Sequence, residues 1–539
     1  MPVPIVTPEL VRKYTEAGAW QDSNLSETIA QLPVDPDKLA LVDKHESVSY
    51  RQLTARSRAL AAWLISHGGV PGDVLGMQAS SRAVLAVAHL ACVVADMIFM
   101  PISDHFTPEE RGHLVTTSKA RFFVLPDTVA EASEIAAELR ASAPSLAFVG
   151  SLHEDATGTN FDFAAACAGD GEPGVTQRGD PNRPHLAMVS SGTTQLPKVS
   201  LWSDNNLWFF LEQFRLHIGL TADDIALQIA PANTGSTGYV FPVLAPLLSG
   251  ATSVLTERWS ATDALDLIES ARPTIASGVP TQIIKMMSEL ELSPRDCSSL
   301  RAFNNAGAAL GVENARKLEA AFGCRVQTSY GASDGGVPTL TFVDDDDAHR
   351  LGSVGRVLPH SECRLVDEQM HDVQAGEAGE VIWRNPTKSF GYLNNPEQDE
   401  QMWWGDGWYR SGDLGIFDAD GYLHIVGRRR DMIIRGGLNV SPREIEDHAR
   451  KHPAVADVAV VGYADPVYGE RIAACVVLNP GRELTLAELD RFLRDEGLGS
   501  HKVPDRLELF DDFPRNSGAK ISKLDLRDEL IARSERATA

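Results

Sequence analysis

The chain has 539 residues, 43% of them hydrophobic, and a formal net charge of −25. That length suggests roughly three or four packing units, and the composition excludes disordered, collagenous and low-complexity classes. The acidic balance, in which Arg428, Arg429 and Arg430 form the densest basic cluster, argues against a nucleic-acid partner.

The opening Met1-Pro2-Val3-Pro4 lacks the basic start and apolar centre of a signal peptide. Six scattered cysteines without a C-x-x-C pair signal neither zinc nor a disulfide framework, so a cytoplasmic location is expected. From about residue 40, helical periods (57–66) alternate with apolar runs of strand length (73–77). The stretch 83–100 has the length of a membrane span, but it is Ala-rich, carries His89 and Asp96 and ends at Pro101. It therefore reads as a buried helix running into a strand, with no membrane span. Strand-length runs recur at 186–189, 225–229, 251–255 and 274–278, an alternation that predicts α/β layers. The acidic run 344–347 reads as a solvated loop.

After Gly391 the texture changes to short strands, with hairpin signals at Asp406-Gly407 and Ala419-Asp420-Gly421. Beyond Arg430 come a turn at Gly436-Gly437, a helix over 442–451, strands over 455–463 and 472–478, and a helix over 486–496. The expected architecture is a large multi-sheet α/β N-terminal domain, 1–430, with a small mobile α+β C-terminal domain, 431–539.

The segment Val189-Ser190-Ser191-Gly192-Thr193-Thr194-Gln195-Leu196-Pro197-Lys198 follows a strand and gathers four hydroxyls, a glycine and a lysine in one turn. Hydroxyl and backbone N–H donors can wrap phosphate oxygens while the lysine adds a mobile point charge. The Walker spacing is absent, and an ordinary Ser/Thr-rich loop is the competing reading.

This segment resembles the phosphate loop of the adenylate-forming superfamily of acyl-CoA synthetases, nonribosomal adenylation domains and luciferases. Further resemblances come in order along the chain: Val48-Ser49-Tyr50-Arg51-Gln52-Leu53, Leu351-Gly352-Ser353-Val354-Gly355, Gly379-Glu380-Val381 with Gly391-Tyr392, Tyr409-Arg410-Ser411-Gly412-Asp413, Gly427-Arg428-Arg429-Arg430-Asp431 and Ser517-Gly518-Ala519-Lys520. They extend over roughly residues 9–528. The resemblance implies an enzyme that joins a carboxylic acid to AMP with ATP and Mg²⁺, then passes the acyl group to a phosphopantetheine thiol of a carrier protein or coenzyme A.

Carried over residue by residue, it implies that Ser190, Ser191, Gly192, Thr193, Thr194 and Lys198 bind ATP phosphates. Gly307 and Ala308 lie along the adenine, Tyr330 stacks on it, Asp413 accepts the ribose hydroxyls and Arg428 contacts ribose and phosphate. Asp334, where the family usually has Glu, helps to hold Mg²⁺. Lys520 is the principal catalytic residue, bridging carboxylate and α-phosphate. Arg430 stands at the hinge about which the small domain rotates, bringing Gly436 and Gly437 to the thiol tunnel.

Gln195 and Val199 replace glycines of the phosphate loop, which points to slower ATP use rather than its loss. Tyr14-Thr15-Glu16-Ala17-Gly18-Ala19-Trp20 resembles a signature of stand-alone aryl-acid adenylases of the dihydroxybenzoate and salicylate type. The acid pocket departs from that branch, since Asn233, Thr234 and Gly235 stand where His-Asn meets the aryl acid; Gly331 is its other expected member. No Asp occurs over 225–243, which disfavours α-amino acids, and small residues at 232, 235, 236 and 238 leave space for a bulkier acid. An aryl or other non-α-amino acid is expected. The alternatives are an aliphatic or bulky acyl-CoA ligase, a luciferase-like oxidase and an inactive nucleotide-binding homologue.

Overall fold

The computed structural model describes residues 6–126, 132–152, 159–168, 179–190, 196–232, 235–435, 438–465, 467–515 and 521–538. The chain divides into two compact units, one of Met1–Leu310, Ala315–Glu362 and Trp383–Tyr409, the other of Gly311–Asn314, Cys363–Ile382 and Arg410–Ala539. This differs from the single cut expected at 430, because residues 410–428 are held to the C-terminal segment. Trp408–Phe417 pairs antiparallel with Leu423–Arg428 around the Asp420-Gly421 turn, and Ser441 Oγ donates to the Val426 carbonyl at 2.5 Å.

In the first unit the apolar runs become strands of two sheets. In the seven-stranded sheet, Phe161–Asp162, Phe148–Ser151, Phe122–Leu125, Val74–Ala79, Ile98–Ser103 and Pro184–Ser190 run parallel, and Lys198–Ser203 closes it antiparallel. Val74–Ala79 and Ile98–Ser103 are buried along their whole length, as parallel strands covered on both faces must be. The nine-stranded sheet has a parallel centre of Arg325–Ala332, Ala302–Ala306, Ile275–Gly278, Ile225–Gln228, Thr252–Leu255 and Leu39–Val42. Helices that connect the strands of this unit start where a side chain can cap them: Ser49 with Gln52, Thr107 with Glu110 and Ser203 with Asn206 each form a capping box.

The 83–100 stretch is the helix Val84–Ala95 followed by the strand Ile98–Ser103, with Asp96 at φ +57 ending the helix. His89 Nδ1 shares a 3.1 Å hydrogen bond with the Tyr239 hydroxyl, while its Nε2 is buried without a partner among the described residues, and Asp96 accepts from Arg183 and from His185 Nε2. Among the described residues no helix is long and apolar enough to cross a membrane. The acidic run 344–347 is more than a loop, since Asp346 caps the helix Asp347–Gly352 and Asp347 pairs with buried Arg350.

In the second unit, Leu438–Val440, Ile433–Arg435, Gly469–Leu478 and Val455–Asp465 form a sheet that Arg506–Phe510 joins in parallel. Alternate residues serve opposite faces: Val458, Val460, Ile472 and Ala474 enter one core, Ala459, Val461, Ala473 and Cys475 the other. All six thiols are free.

Candidate active site

The hydroxyl-rich segment is flanked by two antiparallel strands, Pro184–Ser190 and Lys198–Ser203. Ser190 and Lys198 are register partners at the ends of two antiparallel strands, and Ser191, Gly192, Thr193, Thr194 and Gln195 lie outside the described residues. Burial depresses the Lys198 ammonium, and the charge of Asp334 opposes that effect. Lys198 Nζ donates to Gln398 Oε1 and lies 5.9 Å from the centre of the Tyr392 ring.

Asp334 sits in a turn whose acceptors are all engaged from outside it. Ser333 O accepts from Ser200 Oγ at 2.8 Å and Trp202 Nε1 at 2.9 Å, Asp334 O from Ser389 Oγ at 2.5 Å, and Gly335 O from Trp383 Nε1 at 2.7 Å. The carboxylate accepts from the Tyr409 hydroxyl at Oδ1, 2.7 Å, and from the Tyr392 hydroxyl at Oδ2. Burial and then the Asp334 charge push the Tyr392 phenol far above its ordinary range, so it remains a donor. Glycine is required at 335, where a Cβ would stand 2.5 Å from the Tyr409 ring, and Gly336 adopts φ +83.

Gly307 and Ala308 are exposed just past the C-terminal end of Ala302–Ala306, with Gly307 at φ +84. Crevices at such strand ends are where open α/β sheets bind ligands. Asn305 Nδ2 donates to Ala308 O at 3.3 Å and holds this segment. Tyr330 is half-buried on Arg325–Ala332 and meets Trp383 edge to face at 5.9 Å. At Gly331 a Cβ would come within 2.4 Å of Gly336 O.

Gly235, at φ +73, precedes a π-helix, Ser236–Leu244, that sequence periodicity does not reveal. A Cβ on Gly235 would stand 3.2 Å from Ser333 Oγ, so this pocket candidate lies beside the Asp334 turn. Ala232 packs in the main core and does not open space for an acid, while Asn233 and Thr234 lie outside the described residues.

Asp413 and Arg428 belong to the second unit. They are register partners, with Arg428 Nε 2.9 Å from Asp413 Oδ1; the carboxylate is nearly buried and the guanidinium half-exposed. Arg430 is exposed on the short 3₁₀ turn Arg429–Asp431. Gly436, Gly437 and Lys520 lie outside the described residues.

The model of the AMP-binding enzyme family matches residues 30–393, and that of its C-terminal domain matches 444–520. The chain belongs to the AMP-binding enzyme family. It is 29% identical over 530 residues to a medium-chain fatty-acid–CoA ligase of Escherichia coli, spanning 96% of this chain and 93% of that one. It is 31% identical over 524 residues to a salicyl-AMP ligase of Mycobacterium tuberculosis, spanning 95% and 91%. ATP-bound MatB from Rhodopseudomonas palustris superimposes with a TM-score of 0.84 at 28% identity, over 94% of this chain and 99% of that one. As a member of the AMP-binding enzymes, the chain is an AMP-forming acid–thiol ligase that adenylates a carboxylic acid with ATP.

Among the described residues of this AMP-binding enzyme no group of three or more His, Cys, Asp or Glu side chains can hold a metal. One carboxylate, Asp334, beside a lysine and a phosphate-loop candidate does suit Mg²⁺, which takes one or two protein carboxylates and completes its shell with phosphates and waters. Sequence reading missed the role of Tyr392 and Tyr409. Both stand inside the quoted motifs, but 58 and 75 residues separate them from Asp334, and only the fold brings them together.

Proposed function

We propose that this ligase activates an aryl or other non-α-amino carboxylic acid as its adenylate and transfers the acyl group to a phosphopantetheine thiol in the cytoplasm, a carrier protein being preferred to coenzyme A. The observation that carries the reading is the joining of Lys198, Tyr392 and Asp334 in one cluster beside Gly235. A mobile cation and a rigid carboxylate there suit a nucleotide triphosphate next to an acid.

In the reaction, Lys198 leaves Gln398 for the β- and γ-phosphates, with Ser190, Ser191, Gly192, Thr193 and Thr194 supplying neutral donors. Tyr330 and the Gly307-Ala308 segment take the adenine, and Asp413 accepts the ribose hydroxyls while Arg428 meets ribose and phosphate. Bound Mg²⁺ neutralises phosphate charge. Lys520 holds the attacking carboxylate oxygen against the α-phosphate as pyrophosphate leaves, offsetting the repulsion of two anions. The small domain, 431–539 in this reading, then turns at Arg430, withdraws Lys520 and presents Gly436 and Gly437, where the absence of side chains admits a pantetheine arm.

The test is acid-dependent exchange of labelled pyrophosphate into ATP over a panel of aryl, aliphatic, α-amino and β-amino acids, followed by thioester formation with holo carrier protein and coenzyme A. Exchange confined to α-amino acids, or thioester formed with coenzyme A alone, would overturn the corresponding half of the proposal. The E. coli relative specifically favours one second reading, an aliphatic acyl-CoA ligase, and the same panel identifies it.

A further inference from the structure

The carboxylate of Asp334 is constrained at both oxygens, and the constraint has a direction. Its two oxygens are bound by two different phenols, Tyr409 on Oδ1 and Tyr392 on Oδ2. The backbone beneath is fixed independently: Ser333, Asp334 and Gly335 each give their carbonyl oxygen to a side-chain donor on another element. Tyr409 is in turn seated by the bare α-carbon of Gly335 and by rings on two sides, Trp383 at 4.7 Å and Trp403 at 5.2 Å between centroids. A carboxylate on a two-bond stem has little freedom once its main chain and both oxygens are held.

Direct coordination of a small, hard cation requires an oxygen to approach within about 2.1 Å on a near-ideal octahedral axis, and Mg²⁺ gives up its waters reluctantly. Each Asp334 oxygen already accepts a phenol proton, which draws off negative charge and leaves its second lone pair in a direction fixed by the main chain, so swinging that lone pair onto a metal's axis would cost the orientation of a buried hydrogen bond. A metal-bound water brings its own proton to the remaining lone pair at no such loss.

We propose that Tyr392 and Tyr409 are positioning residues that hold Asp334 so that it meets the divalent cation of the nucleotide through a water molecule and not directly. This rests on the proposed adenylation, since the cation arrives with ATP. The two phenols thereby set how the metal is held, a role distinct from filling the core, because the packing of both rings would survive loss of the hydroxyls.

The test is pulsed electron–nuclear double resonance on the full chain, grown with aspartate labelled with ¹³C at the side-chain carboxyl and loaded with Mn²⁺ and α,β-methylene-ATP. The wild type is expected to show a nucleotide-dependent Mn²⁺ signal without strong ¹³C coupling. The Tyr392→Phe/Tyr409→Phe double variant, its fold verified by melting, is expected to gain that coupling as the freed carboxylate turns to the metal. If the double variant does not fold, Tyr409→Phe alone decides. Strong coupling in the wild type that vanishes in Asp334→Asn overturns the proposal, as does a folded tyrosine variant that gains none. Failure of Mn²⁺ and nucleotide to bind together at all overturns the adenylation reading as well, and is recognised by the missing nucleotide-dependent signal.

Discussion

Arg428 Nε lies 2.9 Å from Asp413 Oδ1, across a register pair of antiparallel strands, so the carboxylate proposed for the ribose is already balanced by the guanidinium proposed for ribose and phosphate. A nucleotide bound as proposed would therefore meet a preformed pair. Asp413→Asn keeps the shape but turns one acceptor into a donor facing the diol. The expected outcome is a rise in KM for ATP of about 10- to 100-fold, the size of one or two hydrogen bonds to a charged group, with a smaller fall in kcat. Steady-state exchange kinetics at saturating acid measure it, and an unchanged KM would remove Asp413 from the ribose.

Lys520→Ala is expected to lower pyrophosphate exchange by about 10²- to 10³-fold, in line with removal of one charge-stabilising donor. Transfer of the acyl group from a synthetic acyl-adenylate to the thiol should be nearly unchanged, because the proposed rotation withdraws Lys520 before that step. Equal losses in both half-reactions would contradict the alternation.

Lys388 is almost fully buried, its Nζ has no hydrogen-bond partner, and it lies 5.1 Å from the centre of the Trp403 ring. Burial, helped by the charge of Arg384, lowers its pKa from 10.5 to about 7. A lysine whose folded pKa is depressed destabilises the fold fully below about pH 7, and the penalty fades as pH rises toward 10.5. Lys388→Met is thus expected to stabilise the chain by about 3–5 kcal/mol at pH 6 and by much less at pH 10. Denaturant melts at the two pH values measure the difference, and a pH-independent gain would show that the amine is paired.

Gly335→Ala places a Cβ 2.5 Å from the Tyr409 ring. The ring must move, and with it the hydroxyl that holds Asp334. Loss of about 1–3 kcal/mol of stability is expected from overpacking, with a parallel fall in adenylation. Melts and pyrophosphate exchange on this variant measure the two effects, and a destabilised variant with unchanged exchange would show that the Tyr409 contact with Asp334 does not serve adenylation.

His185 shows how a buried charge is tolerated in this fold. Burial opposes its imidazolium, but Asp204 at Nδ1 and Asp96 at Nε2 outweigh that effect and raise the pKa to about 9. Its stabilising contribution is present in full below about pH 6.5 and is lost as pH rises through 9. The excess stability of the wild type over His185→Gln should therefore shrink between those values in the same melts.

The layered α/β architecture was legible because apolar runs of strand length alternate with helical periods, and so were two helices and two strands of the small C-terminal unit, whereas the strand Arg506–Phe510 and the helix Lys523–Thr538 were not read. The helix predicted over 486–496 is Leu486–Asp495, and the strands over 455–463 and 472–478 are the buried pair Val455–Asp465 and Gly469–Leu478. Such signals are local: a cap, a turn dipeptide and a period are written within a dozen residues. The π-helix at 236–244 was not legible, since its apolar content fits an ordinary buried helix and the wider turn is imposed by its surroundings.

The sequence by itself determined the chemistry available: the hydroxyl-rich turn ending in Lys198, the Asp413 and Arg428 motifs and the order in which they occur. Tertiary structure alone decided what each group faces. That Asp334 is held by phenols 58 and 75 residues away, that Arg428 balances Asp413 and that Ala232 belongs to the core and not to a pocket all depend on contacts between distant segments. A hydrogen bond acts over about 3 Å of space and carries no trace in sequence separation, so its partners appear only once the sheets have stacked.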